Sequence, residues 1–152
     1  MDKSRVCKII KKVMPALQSL LALEDWKFDI TVEHIGPEEG EDRQSVLMGS
    51  CVAQANYHTA AITINPEQCG SPKDVVDILR HEMIHVFHSD HDIMRGQLRH
   101  VVDEKMFKMF EEVYYHAAEK TVCRIEAMLN RGLGVTAKKM MEAKRDDGNK
   151  QK

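Results

Sequence analysis

The segment from Ser71 to His88 constrains the fold more than any other part of the chain. Ser71-Pro72-Lys73-Asp74 reads as a helix start. Ser71 can cap the free N–H groups, Pro72 fits the first helical position, and Asp74 suits the third position and the positive end of the dipole. Val75, Val76, Ile78, Leu79, Met83, Ile84 and Phe87 then cover most of the helix circumference. A helix this apolar is a central, largely buried one, running to about His88. The other elements must be layered around it.

Those elements can be read by period. Val6, Ile9, Ile10, Val13, Leu17, Leu20 and Leu21 recur at helical spacing and predict an amphipathic first helix, ending near Leu23 and kinked or restarted at Pro15. Strict alternation from Trp26 to Val32 predicts a half-buried strand. Val46 to Ala55 reads as a second strand, Asn56-Tyr57-His58 as a turn, and Thr59 to Ile64 as a third strand. Gly36 to Asp42 is polar and predicts a mobile loop. Ser89 to Asp92 breaks the central helix. A long helix then follows from about Ile93 to Asn130, with Leu98, Val101, Val102, Met106, Met109, Phe110, Val113, Ala117, Val122, Ile125 and Leu129 as its inner stripe and Gly132 and Gly134 as its end. The tail is polar and predicts disorder. The expectation is one α+β domain over 1–135 and a polar tail over 136–152. A small three-stranded sheet packs on an N-terminal helix, the central helix and the long C-terminal helix.

The length of 152 residues suits one core. A formal net charge of -2 gives no sign of a nucleic-acid groove or a membrane-surface patch. Cys7, Cys51, Cys69 and Cys123 are scattered, with no C-x-x-C pair, so a thiolate zinc site is not expected. They read as reduced thiols of a cytoplasmic protein.

Inside the apolar central helix stands His81-Glu82-Met83-Ile84-His85. His81 and His85 are one turn apart on one face, about 6 Å along the axis, so their imidazoles can converge on one zinc ion. Glu82 points about 100° around the helix. It is badly placed as a ligand but well placed to reach a zinc-bound water, which makes it the candidate general base. The third ligand is open. His88 is about 10 Å from His81 along the helix and reads as a helix-end or supporting residue. If the long helix folds back through residues 89–95, its second and third turns come level with the pair, bringing His100, Asp103 and Glu104. His91 and Glu111 are further candidates.

Leu79 to His85, the preceding Ala61-Ile62-Thr63-Ile64-Asn65, Leu23-Glu24-Asp25-Trp26 before the first strand, and His116-Ala117-Ala118-Glu119 on the long helix together resemble a minimal zincin of the phage and bacterial type. The resemblance covers roughly residues 20 to 130. Glu104 follows His85 by nineteen residues, the spacing of gluzincin-type aminopeptidases, and His100 follows His81 by nineteen, the spacing of the more distant SprT and Spartan families. Geometry leaves both on one flank. The gluzincin-like spacing, and Val101 where those families place glycine after the histidine, favour Glu104. His91 stands at the third histidine of a metzincin, but His88 replaces the glycine that turns that chain.

The resemblance implies a zinc-dependent peptidase acting on a peptide or protein, with His81, His85 and Glu104 as ligands and Glu82 as base. Tyr57, His58, Tyr114, Tyr115 and His116 are candidate donors to the developing oxyanion. The Val46 to Ala55 strand is the expected sheet edge for an extended substrate. Two other readings are a non-catalytic, zinc-stabilised binding module, such as a phage regulator of a host protein, and a zinc amidohydrolase acting on a non-peptide amide. Retention of Glu82 argues against the first of these.

Overall fold

The computed structural model describes residues 1–36 and 47–149, with side chains as far as residue 132. The architecture is α+β. Helix α1 (Lys3–Leu21) leads into strand β1 (Lys27–Val32), then β2 (Gly49–Gln54) and β3 (Thr59–Ile64). Helices α2 (Pro72–His85), α3 (Ser89–Leu98) and α4 (Glu104–Asn149) follow. The strand order is β1-β3-β2, with β1 parallel and β2 antiparallel to β3.

Period-2 alternation gives the sheet one apolar face. Phe28, Ile30 and Val32 lie beside Ala60, Ile62 and Ile64, and Cys51 and Ala53 pair with Ile62 and Ala60 on the other side. All of these belong to or pack against the core. Val6, Ile10, Leu17 and Leu21 of α1 and Val75, Ile78, Leu79, Met83 and Ile84 of α2 supply its helical side. The opposite sheet face carries Lys27, Asp29 and Gln54.

Helix α1 runs through the exposed Pro15 without interruption and ends at Ala22, which takes the left-handed conformation at φ 54°. Ser71 caps α2 in a full capping box with Asp74, with Pro72 at the first turn. Asn65 is fully buried at the end of β3. Its side-chain amide donates to the Leu47 carbonyl at 3.3 Å and its side-chain oxygen accepts from the Glu67 N–H at 3.1 Å. It thereby ties the start of the β2 segment to the turn that aims α2.

The second half of the chain departs from expectation. The Ser89 to Asp92 segment is the first turn of α3, joined to α2 by a single 3-10 turn over Val86–His88. The return helix begins at Glu104 rather than near Ile93. Asp103 caps it, accepting from the Met106 N–H at 2.9 Å. Gly132 has no left-handed φ, so it does not stop the helix. The expected inner stripe is really two stripes. Phe107, Ala118 and Val122 are buried, with Ile125 and Leu129 against the core, whereas Val101, Met106, Met109 and Val113 are exposed. At about 100° per residue the mean directions of the two stripes lie roughly 130° apart on the helix. The loop from Pro37 to Asp42 and the start of the expected second strand at Val46 lie outside the described residues, as do the side chains of the 136–152 tail.

Replacing Asn65 with alanine leaves the Leu47 carbonyl and the Glu67 N–H without these partners and empties a fully buried site. The loss expected is about 2 kcal/mol of stability, read as a lower urea midpoint with an unchanged m-value.

Candidate metal centre

His81 and His85 sit on the half-buried face of α2 that α4 covers. Packing of Ala118 and Val122 into the core brings the adjoining flank of α4 over the two rings, and that flank carries Glu119 and Glu126. His81 Nε2 and His85 Nε2 are 3.3 Å apart. The Glu119 carboxylate lies 3.3 Å from His81 Nε2 through Oε2 and 3.1 Å from His85 Nε2 through Oε1. These three residues form a group that could hold a metal ion.

The separations test the fit. Tetrahedral zinc with bonds of about 2.0–2.1 Å holds its ligand atoms about 3.3 Å apart. The two nitrogens are already at that spacing, and each lies at a similar distance from a different oxygen of the Glu119 carboxylate, so a small turn of that side chain would bring one oxygen to both. The donors are two imidazole nitrogens and one carboxylate, a set suited to zinc. Glu119 is half exposed, so the group is open to solvent on that side.

The surroundings prepare both rings. His81 Nδ1 lies 3.4 Å from Glu126 Oε2. A proton held on Nδ1 by that carboxylate leaves the Nε2 lone pair free for a metal. Glu126 is itself anchored by Arg80, 3.5 Å away, and Arg80 also pairs with Asp77 at 3.3 Å. Burial holds the His85 pKa below its ordinary value, favouring the neutral form that a metal requires.

Glu82 is not one of the three-residue group, but it lines the same cleft as His81, His85 and Glu119. It is 7% exposed and lies against β2. Burial pushes its pKa up to about 7, opposed by His81 and reinforced by Glu119 and Glu126. Space for it exists because residue 49 is glycine. A Cβ there would come 2.8 Å from Glu82 Oε1 and 2.9 Å from its Cγ.

A cleft of about 840 Å³ runs past these groups. One wall is β2, from Leu47 to Ala53; another is α2 with Ile78, His81, Glu82 and His85; α4 closes it with Ala118, Glu119 and Glu126. As expected, the second strand is a sheet edge. The Asn65 N–H bonds the Met48 carbonyl at 2.9 Å. By the two-residue alternation of an antiparallel ladder, the main-chain groups of Gly49, Cys51 and Ala53 therefore turn away from β3. Cys51 is held as the thiol rather than the thiolate. Burial, with Glu82 and Asp92 nearby, pushes its thiol up to about 12.

The other sequence-predicted residues are distributed as follows. Glu104 is at the exposed start of α4, paired with Lys108 at 3.0 Å, and is not brought to the histidines. Asp103 is the cap of that helix, and His91 and His100 are exposed. Glu111 pairs with Arg95 at 2.9 Å. His88 lines the cleft with its ring 6.3 Å from that of His85. Of the five candidate oxyanion donors, Tyr114 and Tyr115 line the cleft. Tyr114 donates to Asp92 at 3.0 Å, and burial pushes its pKa up to about 12. Tyr57 is exposed, and His58 stacks on Trp26 and pairs with Asp25 at 2.7 Å. Glu119 was not singled out as a ligand from sequence. Its signal was there: Glu119 and Glu126 are seven apart and flank the buried Val122.

Gly49→Ala should displace the Glu82 side chain. A loss of about 1–3 kcal/mol is expected, against less than about 0.5 kcal/mol for Ser50→Ala beside it, both measured by denaturant unfolding.

No helix of the described residues is long and apolar enough to cross a membrane. Comparison of the chain with known protein families, curated proteins and solved structures gives no match.

Proposed function

We propose that this chain is a zinc-dependent peptidase of the zincin type, with His81, His85 and Glu119 as ligands and Glu82 as general base. The observation that carries the reading is the convergence of His81 Nε2, His85 Nε2 and the Glu119 carboxylate, a group that could hold a metal ion, in a cleft beside a buried glutamate. Glu119 takes the place that spacing alone gave to Glu104. Two histidines and a glutamate with an open fourth position form a catalytic rather than a closed structural donor set.

Bound there, zinc supplies a water acidified toward neutrality and a Lewis acid for a carbonyl oxygen. The remaining work falls to the chain itself. Glu82 accepts the proton from the attacking water and passes it to the leaving amine. Its burial keeps its basicity near that needed at neutral pH. Glu126 holds His81 by Nδ1 and fixes the ring plane. The outward main-chain groups of Gly49, Cys51 and Ala53 offer an extended peptide a strand to pair with. Leu47, Met48 and Ile78 give its side chains apolar contacts. Tyr115, which lines the cleft and whose hydroxyl accepts from Arg95 and so keeps its own hydrogen, is a donor available to an oxyanion, whereas the Tyr114 hydrogen is held by Asp92. The free sheet edge favours a peptide over a small non-peptide amide.

Two measurements separate the parts of this reading. Protein purified without added metal should carry one zinc per chain by elemental analysis. Glu119→Ala should weaken zinc affinity by at least about 100-fold, while Glu104→Ala leaves it unchanged. Equal losses would return the third ligand to the start of α4.

Glu82→Gln keeps shape but removes the proton acceptor. Zinc content and helical signal should be retained, and hydrolysis of an unstructured protein substrate should fall by at least about 100-fold. A zinc-loaded wild type with no turnover of a broad peptide library would instead support the binding-module reading.

A further inference from the structure

The first half of α4 carries an apolar stripe that the core does not use. Met106, Met109, Phe110 and Val113 recur at i, i+3, i+4 and i+7, so they line one face. They are 59%, 62%, 38% and 69% exposed. The face is bounded. Ala117 extends it by one turn, and Lys120 and Arg124 then end it. The stripe lies roughly 130° from the buried one, so it points away from α2 and from the metal centre.

The charges beside the stripe indicate what covers it. Lys105 and Glu112 lie on the same flank, two turns apart. Neither has an ion-pair partner among the described residues. When two helices pack antiparallel about a two-fold axis, a flank faces its own copy with direction reversed. Lys105 of one chain then faces Glu112 of the other, and the pair occurs twice. A parallel pair would instead set Lys105 against the flank of Phe110 and Tyr114, which offers no carboxylate in register. The face is thus complementary to itself in one orientation.

We propose that the chain forms a two-fold homodimer through the Met106–Met109–Phe110–Val113 face of α4, packed antiparallel, with reciprocal Lys105–Glu112 pairs. Each chain's cleft stays open, because the stripe and the cleft lie on different sides of α4. The dimer does not depend on whether the centre is catalytic.

Sedimentation velocity on the full chain at micromolar concentration tests this. The wild type should sediment at twice the 17.4 kDa chain mass. Met109→Glu should be monomeric, with unchanged helical circular dichroism and unchanged zinc content. Lys105→Glu and Glu112→Lys should each raise the dissociation constant about tenfold or more, and the double variant Lys105→Glu/Glu112→Lys should restore it. A wild type that stays monomeric overturns the proposal and leaves the stripe to some other partner. A dimer that persists in Met109→Glu, or in which the single charge swaps have no effect, overturns the α4 pairing.

Discussion

The packing of α4 on α2 is the contact on which the centre depends. HExxH on one helix supplies two nitrogens but cannot supply a third ligand, because neighbouring residues diverge by about 100°. The third has to arrive from another element and be held within a few tenths of an ångström. Val122 and Ala118, buried in the core, do this work. They fix the rotation of α4 so that the flank with Glu119 and Glu126 meets the rings. Burial that stabilises the fold thereby also sets the ligand geometry. Arg80 compensates for the crowding of carboxylates by pairing with Glu126 and Asp77.

A second constraint is steric and sits where α2 meets β2. A glutamate that is 7% exposed needs room and a reason to be there. Gly49 provides the room, because any Cβ would occupy the space of the side chain. The desolvation that raises its pKa would be a pure cost in a structural role. In the proposed peptidase, with Glu82 placed between a sheet edge and two histidines, the same desolvation would tune a base.

Legibility in the sequence followed the range of the interactions. Ser71 to Asp74 announced α2 because capping is settled within one turn, and the strands declared themselves through alternation of Phe28, Ile30 and Val32. His81, Glu82 and His85 were readable because helix geometry fixes their relation. Glu119 was not, because its distance from His85 depends on α3, and nothing local reports the length of a helical insertion. Spacing arguments assumed a direct return after His88 and so reached Glu104, about four turns short. The apolar pattern of α4 misled in a related way. Two apolar stripes on different faces look like one in sequence, and only the partner surface tells the buried Phe107 from the exposed Met106.

The donors come from both ends of the chain's second half, with His81 and His85 on α2 and Glu119 on α4. An ion shared among them would act as a clasp between two helices that otherwise meet through a modest apolar contact. Metal affinity and fold stability then become one quantity, each tenfold excess of free ion over the dissociation constant adding about 1.4 kcal/mol to the closed state. Without the clasp, Glu119 and Glu126 would leave two negative charges facing the buried Glu82, and α4 would be the element with most to gain by swinging away. Metal supply would then govern how long the folded protein persists as well as whether it works.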